Sequence, residues 1–364
     1  MTGKRDLIDS IKRSSWFISL NNFRRLFYES VLFDFLVQPQ AELLEKFPGA
    51  LVIDNTNLCN AKCSWCPNDT IPGDKGIMDK ELFQSIVKDY SQFGGIVRFG
   101  TFGEPLLDPE FINKVDYVRK FPSIYKMELI TNGLALNEKI ADKLIECKVD
   151  TEISLDELDK EIFEEIKGVS FDKTWENIVK LLNKNDIAER PIEINIRIKT
   201  STNEESIRNN PLFKELLHVN CTVELNPISA MDSLSNWGGK FDKNAYLSNN
   251  NNLSLHRTYK NYNFKNQAPC HQLWKWMVIN WDGRVVLCCT DIYTNVVLGD
   301  LKKEKIEEVW QGPVFSKARK EFKSRNGRKN GICKSCDLHL GWQYLKLYYN
   351  QSNSRIRDGK RFIS

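Results

Sequence analysis

The sequence of 364 residues predicts an α/β fold, a partial (β/α)6 barrel followed by a small hairpin domain. Short apolar runs alternate with amphipathic stretches from residue 51 onward, which is typical of βα units around a parallel sheet. After residue 268 the pattern changes, and two apolar runs flank an Asp-Gly turn. About six units are too few for a closed eight-stranded barrel, so we expect an open one.

The apolar runs predict six strands, and the amphipathic stretches between them predict helices. The strands cover residues 51–56, 95–102, 126–133, 150–156, 192–200 and 221–229. The helices cover residues 78–90, 108–121, 137–148 and 170–184, with a further stretch around 204–217. Right-handed crossovers between such units make the sheet parallel.

The flanking regions differ from this core. We expect a helical lead-in over residues 1–48 and the partial barrel over 49–230. An Asn- and Ser-rich linker or substrate-covering loop is predicted over 231–268. A C-terminal domain over 269–345 carries a hairpin at 274–289 and a helix at 304–325, and a tail covers 346–364.

Charge and hydropathy exclude several classes of partner. The net charge of +4, from 52 basic and 48 acidic residues, is too even to indicate nucleic-acid binding. There is no apolar run of the roughly 18 residues that a transmembrane helix needs, and the N-terminus does not resemble a signal peptide. We therefore expect a cytoplasmic protein that binds neither nucleic acid nor membrane.

Ten cysteines are unusual in a cytoplasmic chain, where thiols stay reduced and clustered cysteines indicate metal binding or catalysis. Seven of them form two sets with the spacing of metal ligands. The first set is Cys59, Cys63 and Cys66, and the second is Cys270, Cys288, Cys333 and Cys336. Cys147 and Cys221 are predicted to be packing residues.

The first set has the pattern C-x3-C-x2-C in the loop after the first strand. Three thiolates can hold three irons of a cubane cluster and leave the fourth iron open to a small chelating molecule. Structural zinc is the main competitor, but it prefers four ligands in paired CxxC units, and no histidine lies nearby. The pattern therefore favours an iron–sulfur cluster.

This loop resembles the signature of the radical S-adenosylmethionine (SAM) superfamily, with Trp65 at its aromatic position. FGEPLL (102–107) resembles the family's Gly-Gly-Glu motif, with Phe102 in place of the first glycine. ITNG (130–133) and SLD (154–156) resemble the ends of the third and fourth strands. The resemblance covers residues 51–229.

The resemblance implies which residues contact SAM. Gly103 and Glu104 would meet its amino group, and the SLD motif its ribose or carboxylate, although Asp156 could instead cap a helix. Polar contacts to SAM are common on the fifth strand of the family. The predicted SAM-binding residues are thus Trp65, Gly103, Glu104, Asn132, Ser154, Asp156, Asn195 and Arg197.

The second set resembles the auxiliary-cluster extension called SPASM, or its shorter relative Twitch, and implies a second 4Fe-4S cluster. No cysteine follows Cys336, so one auxiliary cluster is expected. Taken alone, the four thiols would equally suit a structural zinc ion. Cys289, which follows the ligand Cys288, could donate a hydrogen atom to a substrate radical, or it could be a small buried thiol.

The resemblance implies that SAM is cleaved reductively to a 5′-deoxyadenosyl radical, with electrons from an external one-electron reductant such as flavodoxin or ferredoxin. We expect a polar small-molecule substrate, such as a sugar, aminocyclitol or nucleotide-sugar, that is oxidised at a C–OH group or epimerised. One alternative is a maturase that crosslinks or epimerises a ribosomal peptide. A non-catalytic zinc-binding module is the alternative from another class, and the FGEPLL and ITNG segments argue against it.

Overall fold

The structure is a computed structural model that describes residues 45–199, 204–219, 221–225, 235–242, 272–323, 331–336, 355–357 and 360–362. Within these ranges one eleven-stranded sheet organises the chain. Its strands are β1 (Ala50–Ile53), β2 (Gly95–Phe99), β3 (Ile124–Thr131), β4 (Val149–Ser154), β5 (Ile194–Ile198), β6 (Thr222–Leu225), β7 (Trp276–Ile279), β8 (Arg284–Val286), β9 (Val297–Asp300), β10 (Arg355–Arg357) and β11 (Lys360–Phe362).

The described helices alternate with the first six strands and then continue beyond the hairpin. They are α1 (Lys80–Tyr90), α2 (Phe111–Val118), α3 (Glu138–Glu146), α4 (Lys160–Lys167), α5 (Phe171–Ile187), α6 (Glu204–Asn209), α7 (Pro211–His218), α8 (Gln272–Lys275), α9 (Ile306–Gln311), α10 (Pro313–Lys323) and α11 (Gly331–Ser335). Short 3-10 turns cover Pro67–Thr70, Pro105–Leu107 and Trp237–Gly239. In this part of the chain no helix is long and apolar enough to cross a bilayer.

The strand order from β1 to β6 is sequential, and every neighbouring pair in this run is parallel. The predicted α/β fold with an open parallel barrel is therefore confirmed. The predicted hairpin is also present, because β7 and β8 pair antiparallel across the turn at Asp282-Gly283. Glycine suits that turn because Gly283 has a φ of +87°.

The sheet continues from the barrel into the hairpin without a break. β7 pairs in parallel with β1, with Ala50 opposite Trp276 and Ile53 opposite Ile279. Sequence patterning treated the hairpin as the start of a separate unit, since periodicity does not record which strands are neighbours. This pairing places the chain after β7 next to the loop after β1.

The two faces of the barrel sheet differ in chemistry. Alternate residues of each strand, such as Val97, Leu129 and Ile196, are buried in the large apolar core. The residues between them are mostly polar on β2 to β6, with Ile96 and Ile130 as exceptions, and they face the concave side. At β1 and β7 that side carries a small apolar cluster containing Val52, Val278 and Phe102.

Helix boundaries follow from capping residues. The side chains of Asp79, Asn137, Asp159 and Ser170 each accept a hydrogen bond from a backbone N–H in the first turn of the following helix. α4, which the sequence analysis missed, begins at the Asp159 cap and ends at Gly168, whose φ is +64°. Both capping signals are visible in the sequence.

Two further expectations need correction or lie outside the described residues. The single helix predicted over 304–325 is two helices, α9 and α10, because Gly312 and Pro313 interrupt it. The lead-in, apart from residues 45–48, and most of the 231–268 loop lie outside the described residues. The same holds for the 346–364 tail apart from β10 and β11.

Candidate active site

The cysteine loop follows β1 and lies against the end of α4. The backbone N–H of Lys62 donates to the carbonyl of Lys167 at 2.9 Å, and that of Ser64 donates to Ile166, also at 2.9 Å. Trp65 is buried and packs on Ile166. The loop is thus held by the helix that the sequence analysis missed.

The three thiols of the loop are recorded as free and half-buried. Burial raises the pKa of Cys59 to about 11 and that of Cys66 to about 12, and it also raises the pKa of Cys63. Binding iron would deprotonate these thiols, since a bound metal favours the thiolate. The environment therefore stabilises neutral thiols until a metal centre forms.

The arrangement of these thiols can be compared with that of a zinc site. Tetrahedral zinc would bring its sulfurs to about 3.8 Å from one another, given Zn–S bonds of about 2.3 Å. Among the described residues, only Asp116, Glu146 and Cys147 place three ligand atoms within 4.8 Å of each other. Neither cysteine set does so. The thiols of the first set are thus not arranged as a preformed zinc site.

Gly103 and Glu104 connect the end of β2 to the cysteine loop. The Glu104 N–H donates to the Leu58 carbonyl at 2.8 Å. A Cβ on Gly103 would lie 2.3 Å from the Thr56 carbonyl oxygen and 2.7 Å from that of Leu58. Only glycine permits this close approach.

The Glu104 carboxylate is buried and spans two strand ends. One oxygen accepts from the Thr131 hydroxyl at 2.7 Å, and the other accepts from the Asn132 N–H at 2.7 Å. Burial raises the pKa of Glu104 despite these hydrogen bonds. Asn132 in turn donates to the side-chain oxygen of Asn60 at 2.7 Å, which ties β3 to the cysteine loop.

The end of β4 carries a buried ion pair. Asp156 Oδ2 accepts from Lys167 Nζ at 2.7 Å, and the Ser154 carbonyl accepts from the same ammonium. Asp156 has a left-handed backbone with a φ of 69°, held by its N–H bond to the Arg197 carbonyl at 3.0 Å. The helix-capping alternative for Asp156 is wrong, because Asp159 caps α4.

Two lysines that the sequence analysis missed lie in this region. Lys167 is 1% exposed, and it interacts electrostatically with the thiols of Cys63 and Cys59. Burial lowers the pKa of the second lysine, Lys199, which follows β5 and also interacts with Asp156. In the sequence, Lys167 could have been noticed because it comes directly before Gly168, the glycine that caps the C-terminus of α4.

The predicted residues on β5 lie on the concave face. Asn195 donates to Glu224 at 3.5 Å, and Arg197 is paired with Glu152. Their side-chain partners are thus carboxylates of neighbouring strands. The structure brings Gly103, Glu104, Asn132 and Asp156 together around the cysteine loop. The side chains of Asn195 and Arg197 instead pair with carboxylates of the neighbouring strands.

The described cysteines of the second set lie on two different elements. Cys288 and Cys289 follow β8, and the Cys288 sulfur lies 3.0 Å from the Thr290 hydroxyl. Cys333 lies in α11, and Cys336 follows it with its N–H donating to the Ile332 carbonyl at 2.9 Å. Cys270 is outside the described residues. Cys147 and Cys221 are buried in the apolar core, as packing residues should be.

A short segment, residues 235–242, joins the two cysteine-bearing regions. The Trp237 indole N–H donates to the Trp65 carbonyl at 3.0 Å, and Asn236 donates from its side chain to the Ser335 carbonyl. A Cβ on Gly239 would lie 2.6 Å from the Ser335 Cβ, so α11 packs directly against this glycine. The segment therefore bridges the first cysteine loop and the final CxxC.

The family comparison agrees with this geometry. Residues 55–196 match the model of the radical SAM superfamily, and residues 270–337 match that of SPASM, an iron–sulfur cluster-binding domain.

The chain carries a radical SAM domain.

Relatives of this radical SAM protein have several activities. A GTP 3′,8-cyclase of Clostridium perfringens is 27% identical over 228 residues, 52% of this chain and 70% of its own. A SAM-dependent 2-deoxy-scyllo-inosamine dehydrogenase of Niallia circulans is 20% identical over 302 residues, 81% of this chain and 94% of its own. Streptococcus suis SuiB, solved with its precursor peptide SuiA, superposes with a TM-score of 0.56 at 18% identity. That match covers 83% of this chain and 73% of SuiB, and it shows the fold alone.

The protein is a radical SAM enzyme with a SPASM domain, and its cofactors are SAM and two 4Fe-4S clusters. The donor chemistry of the first site fits this assignment. Three half-buried thiols lie on one loop, too far apart for a preformed zinc site. For the second site, Cys288, Cys333 and Cys336 are described, and their role as ligands stays a prediction, as does that of Cys270.

Proposed function

We propose that this enzyme oxidises an alcohol group of a polar small molecule, of the aminocyclitol or sugar type. The observation that carries the proposal is the charged concave face of the barrel sheet. A ligand that binds to charged groups displaces their water, so it must form hydrogen bonds with these groups in return. A site lined by charged groups therefore favours polar ligands. An apolar peptide side chain would leave these groups without such partners.

The charged face is an ordered network. Arg98 on β2 donates to Glu128 on β3 with two nitrogens, at 2.6 and 2.7 Å. Lys126 lies 3.0 Å from Glu128 and 3.2 Å from Asp150. The guanidinium of Arg98 also stacks over Trp276, 4.9 Å from the ring centre. These pairs fix the side chains, so that the polar surface is preorganised.

The relatives support a small polar substrate. The Niallia circulans protein is named for the dehydrogenation of an amino alcohol, and the Clostridium perfringens protein for a reaction of GTP. Both substrates are small and rich in hydrogen-bonding groups. Peptide maturation is the alternative, and the fold shared with SuiB is compatible with it, but the charged lining favours the first reading.

The residues of this chain have separate tasks in the proposal. Bound SAM and its cluster supply the radical chemistry that removes a hydrogen atom from an unactivated C–H bond. We propose that Cys59, Cys63 and Cys66 hold that cluster, and that Glu104, Asn132 and the Asp156–Lys167 pair form the polar wall on which SAM is oriented. An external flavodoxin or ferredoxin is the proposed electron donor.

A labelled substrate tests the proposal. We expect 2-deoxy-scyllo-inosamine, myo-inositol or glucosamine, deuterated on the ring carbons, to transfer deuterium into 5′-deoxyadenosine and to give a ketone. Mass spectrometry measures both products under anaerobic turnover. If no deuterium is transferred from any of the alcohols but deuterium is transferred from a peptide, peptide maturation would replace alcohol oxidation as the favoured function.

The proposed second cluster has its own prediction. In Cys333→Ser, 5′-deoxyadenosine should still form, while ketone should fall by at least about 100-fold, since the variant lacks a ligand of the proposed electron acceptor. The two products are measured in the same reaction. Ketone at the wild-type rate would show that the SPASM cluster is not the acceptor.

Cys289 is the proposed hydrogen donor if the enzyme epimerises its substrate instead. It is half-buried and follows Cys288. In that case Cys289→Ala should lose deuterium incorporation from heavy water while SAM cleavage continues. Incorporation that persists in this variant would remove Cys289 from the mechanism.

A further inference from the structure

A cavity of about 200 Å³ lies between the loop after β1 and the hairpin after β7. Asp54 follows β1 and Asn280 follows β7, and these parallel strands pair with Ile53 opposite Ile279. The Asp54 N–H donates to the Ile279 carbonyl at 2.9 Å. The two side chains are therefore neighbours at the carboxyl ends of adjacent strands, where ligands bind in open α/β sheets.

Strand alternation puts both side chains on the concave face. Val52 and Val278 belong to the small apolar cluster of that face, and Asp54 and Asn280 lie two residues further along each strand. Both line the cavity, together with Phe102, which stands in the FGEPLL motif. The cavity therefore lies on the concave side of the barrel sheet.

Each of the two side chains has one buried oxygen that lacks a partner among the described residues. Asp54 Oδ1 accepts from the Phe102 N–H at 2.9 Å, whereas Oδ2 accepts no hydrogen bond. Asn280 donates to the Thr294 hydroxyl at 2.8 Å, and its Oδ1 has no donor. Asp54 is 1% exposed and Asn280 is 6% exposed. Buried polar atoms need a partner, and a ligand with hydrogen-bond donors would supply one to each of these two acceptors.

The size of the cavity limits the ligand. Its volume equals that of about seven waters at the density of the liquid, which is close to one six-membered polyol ring. Trp281 closes one wall, and it can approach because residue 76 is glycine; a Cβ there would lie 2.4 Å from the indole. A single ring with hydroxyl groups fits this space, and a folded peptide segment does not.

We propose that Asp54 is the proton acceptor for the hydroxyl group that is oxidised, and that Asn280 holds that hydroxyl in place. The inference rests on the alcohol oxidation proposed above. Converting C–OH to a carbonyl breaks one C–H and one O–H bond. The hydrogen atom leaves carbon for the radical that SAM supplies, the proton passes to Asp54 Oδ2, and the remaining electron goes to a one-electron acceptor of the iron–sulfur class.

The surroundings of Asp54 suit a base that works near neutral pH. Burial raises the pKa of Asp54 to about 7, although the hydrogen bond from the Phe102 N–H opposes this. The other charged groups lining the cavity are Asp74, Asp282 and Arg284. Arg284 donates to Asp282 at 2.6 Å. A general base is most effective when its pKa lies near the working pH.

The test compares Asp54→Asn with the wild-type holoenzyme on deuterated 2-deoxy-scyllo-inosamine, myo-inositol and glucosamine. We expect the variant to transfer deuterium into 5′-deoxyadenosine but to form ketone at least about 100-fold more slowly. In the wild type, ketone formation should fall as the pH drops below about 7, because the carboxylate becomes protonated. Ketone formation by the Asp54→Asn variant should not show this fall at low pH. Asp300→Asn, a carboxylate of the same sheet outside the cavity wall, is the matched control and should behave like the wild type.

A second measurement is independent of turnover. Infrared difference spectra of wild type minus Asp54→Asn, recorded on the resting holoenzyme, should show a protonated carboxyl band that disappears as the pH rises through about 7. Ketone formed by the variant at the wild-type rate, or a band with the pKa of an ordinary aspartate, overturns the role of Asp54 alone. Wild-type enzyme that transfers deuterium from none of the three alcohols overturns alcohol oxidation itself.

Discussion

Cys63→Ser should abolish SAM cleavage and remove one of the two clusters. We expect about eight irons and eight sulfides per wild-type chain and about four of each in the variant, because each cubane holds four. 5′-Deoxyadenosine should fall by more than about 100-fold, since loss of a residue that merely supports a ligand already costs 10–100-fold in metal affinity. Metal and sulfide analysis after anaerobic reconstitution measures the first effect, and chromatography the second.

Cys147→Ser is the matched control, because Cys147 is buried in the apolar core and belongs to neither set. It should keep about eight irons. A Cys63→Ser enzyme that retains eight irons and cleaves SAM would contradict the assignment of the first loop. Zinc in place of iron in the wild-type chain would contradict the whole cluster interpretation.

Lys167→Met should destabilise the protein by about 3–5 kcal/mol, because it leaves the buried Asp156 carboxylate without its cation. Burial lowers the pKa of Lys167, but Asp156 and the thiols of Cys63 and Cys59 raise it to a net value above that of an ordinary lysine. The ammonium therefore stays charged in the folded protein. Urea unfolding under anaerobic conditions measures the loss.

The control for Lys167→Met comes from the other end of the same helix. Lys160 is exposed and paired with Asp172, so Lys160→Met should leave the free energy of unfolding nearly unchanged, because water screens this surface pair. Adding Asp156→Asn to Lys167→Met should recover part of the stability, because it removes the unpaired charge. Equal losses of stability in Lys167→Met and Lys160→Met would mean that the buried Asp156–Lys167 pair stabilises the protein no more than a surface ion pair does.

Local patterns in the sequence were sufficient for most of the barrel. The strands at 95–102 and 126–133 and the helix at 137–148 correspond to β2, β3 and α3. The spacing of Cys59, Cys63 and Cys66 predicted the cluster loop, since these three candidate ligands lie within eight residues of one another. These signals are carried by neighbouring residues and need no knowledge of the tertiary structure.

Several parts of the site were not predictable in this way. The stretch 160–167 was not predicted to be a helix, although Asp159 and Gly168 cap it. Lys167 at its end, which interacts electrostatically with the thiols of the cysteine loop, was therefore not predicted either. Asp54 was read only as part of a strand. Its unpartnered oxygen becomes visible when Asn280, 226 residues later in the chain, is brought next to it.

The sequence by itself was sufficient for the family and the open parallel sheet, and it predicted the candidate iron ligands and the glycine beside the cluster loop. Each follows from residue type and short spacing, which local sterics and ligand geometry constrain directly. Only the tertiary structure decided that β7 extends the barrel sheet, that α4 supports the cysteine loop, and that Asp54 and Asn280 share a cavity. These features depend on backbone pairing and burial between segments that are far apart in the chain. Such long-range contacts produce no local pattern that can be recognised in the sequence.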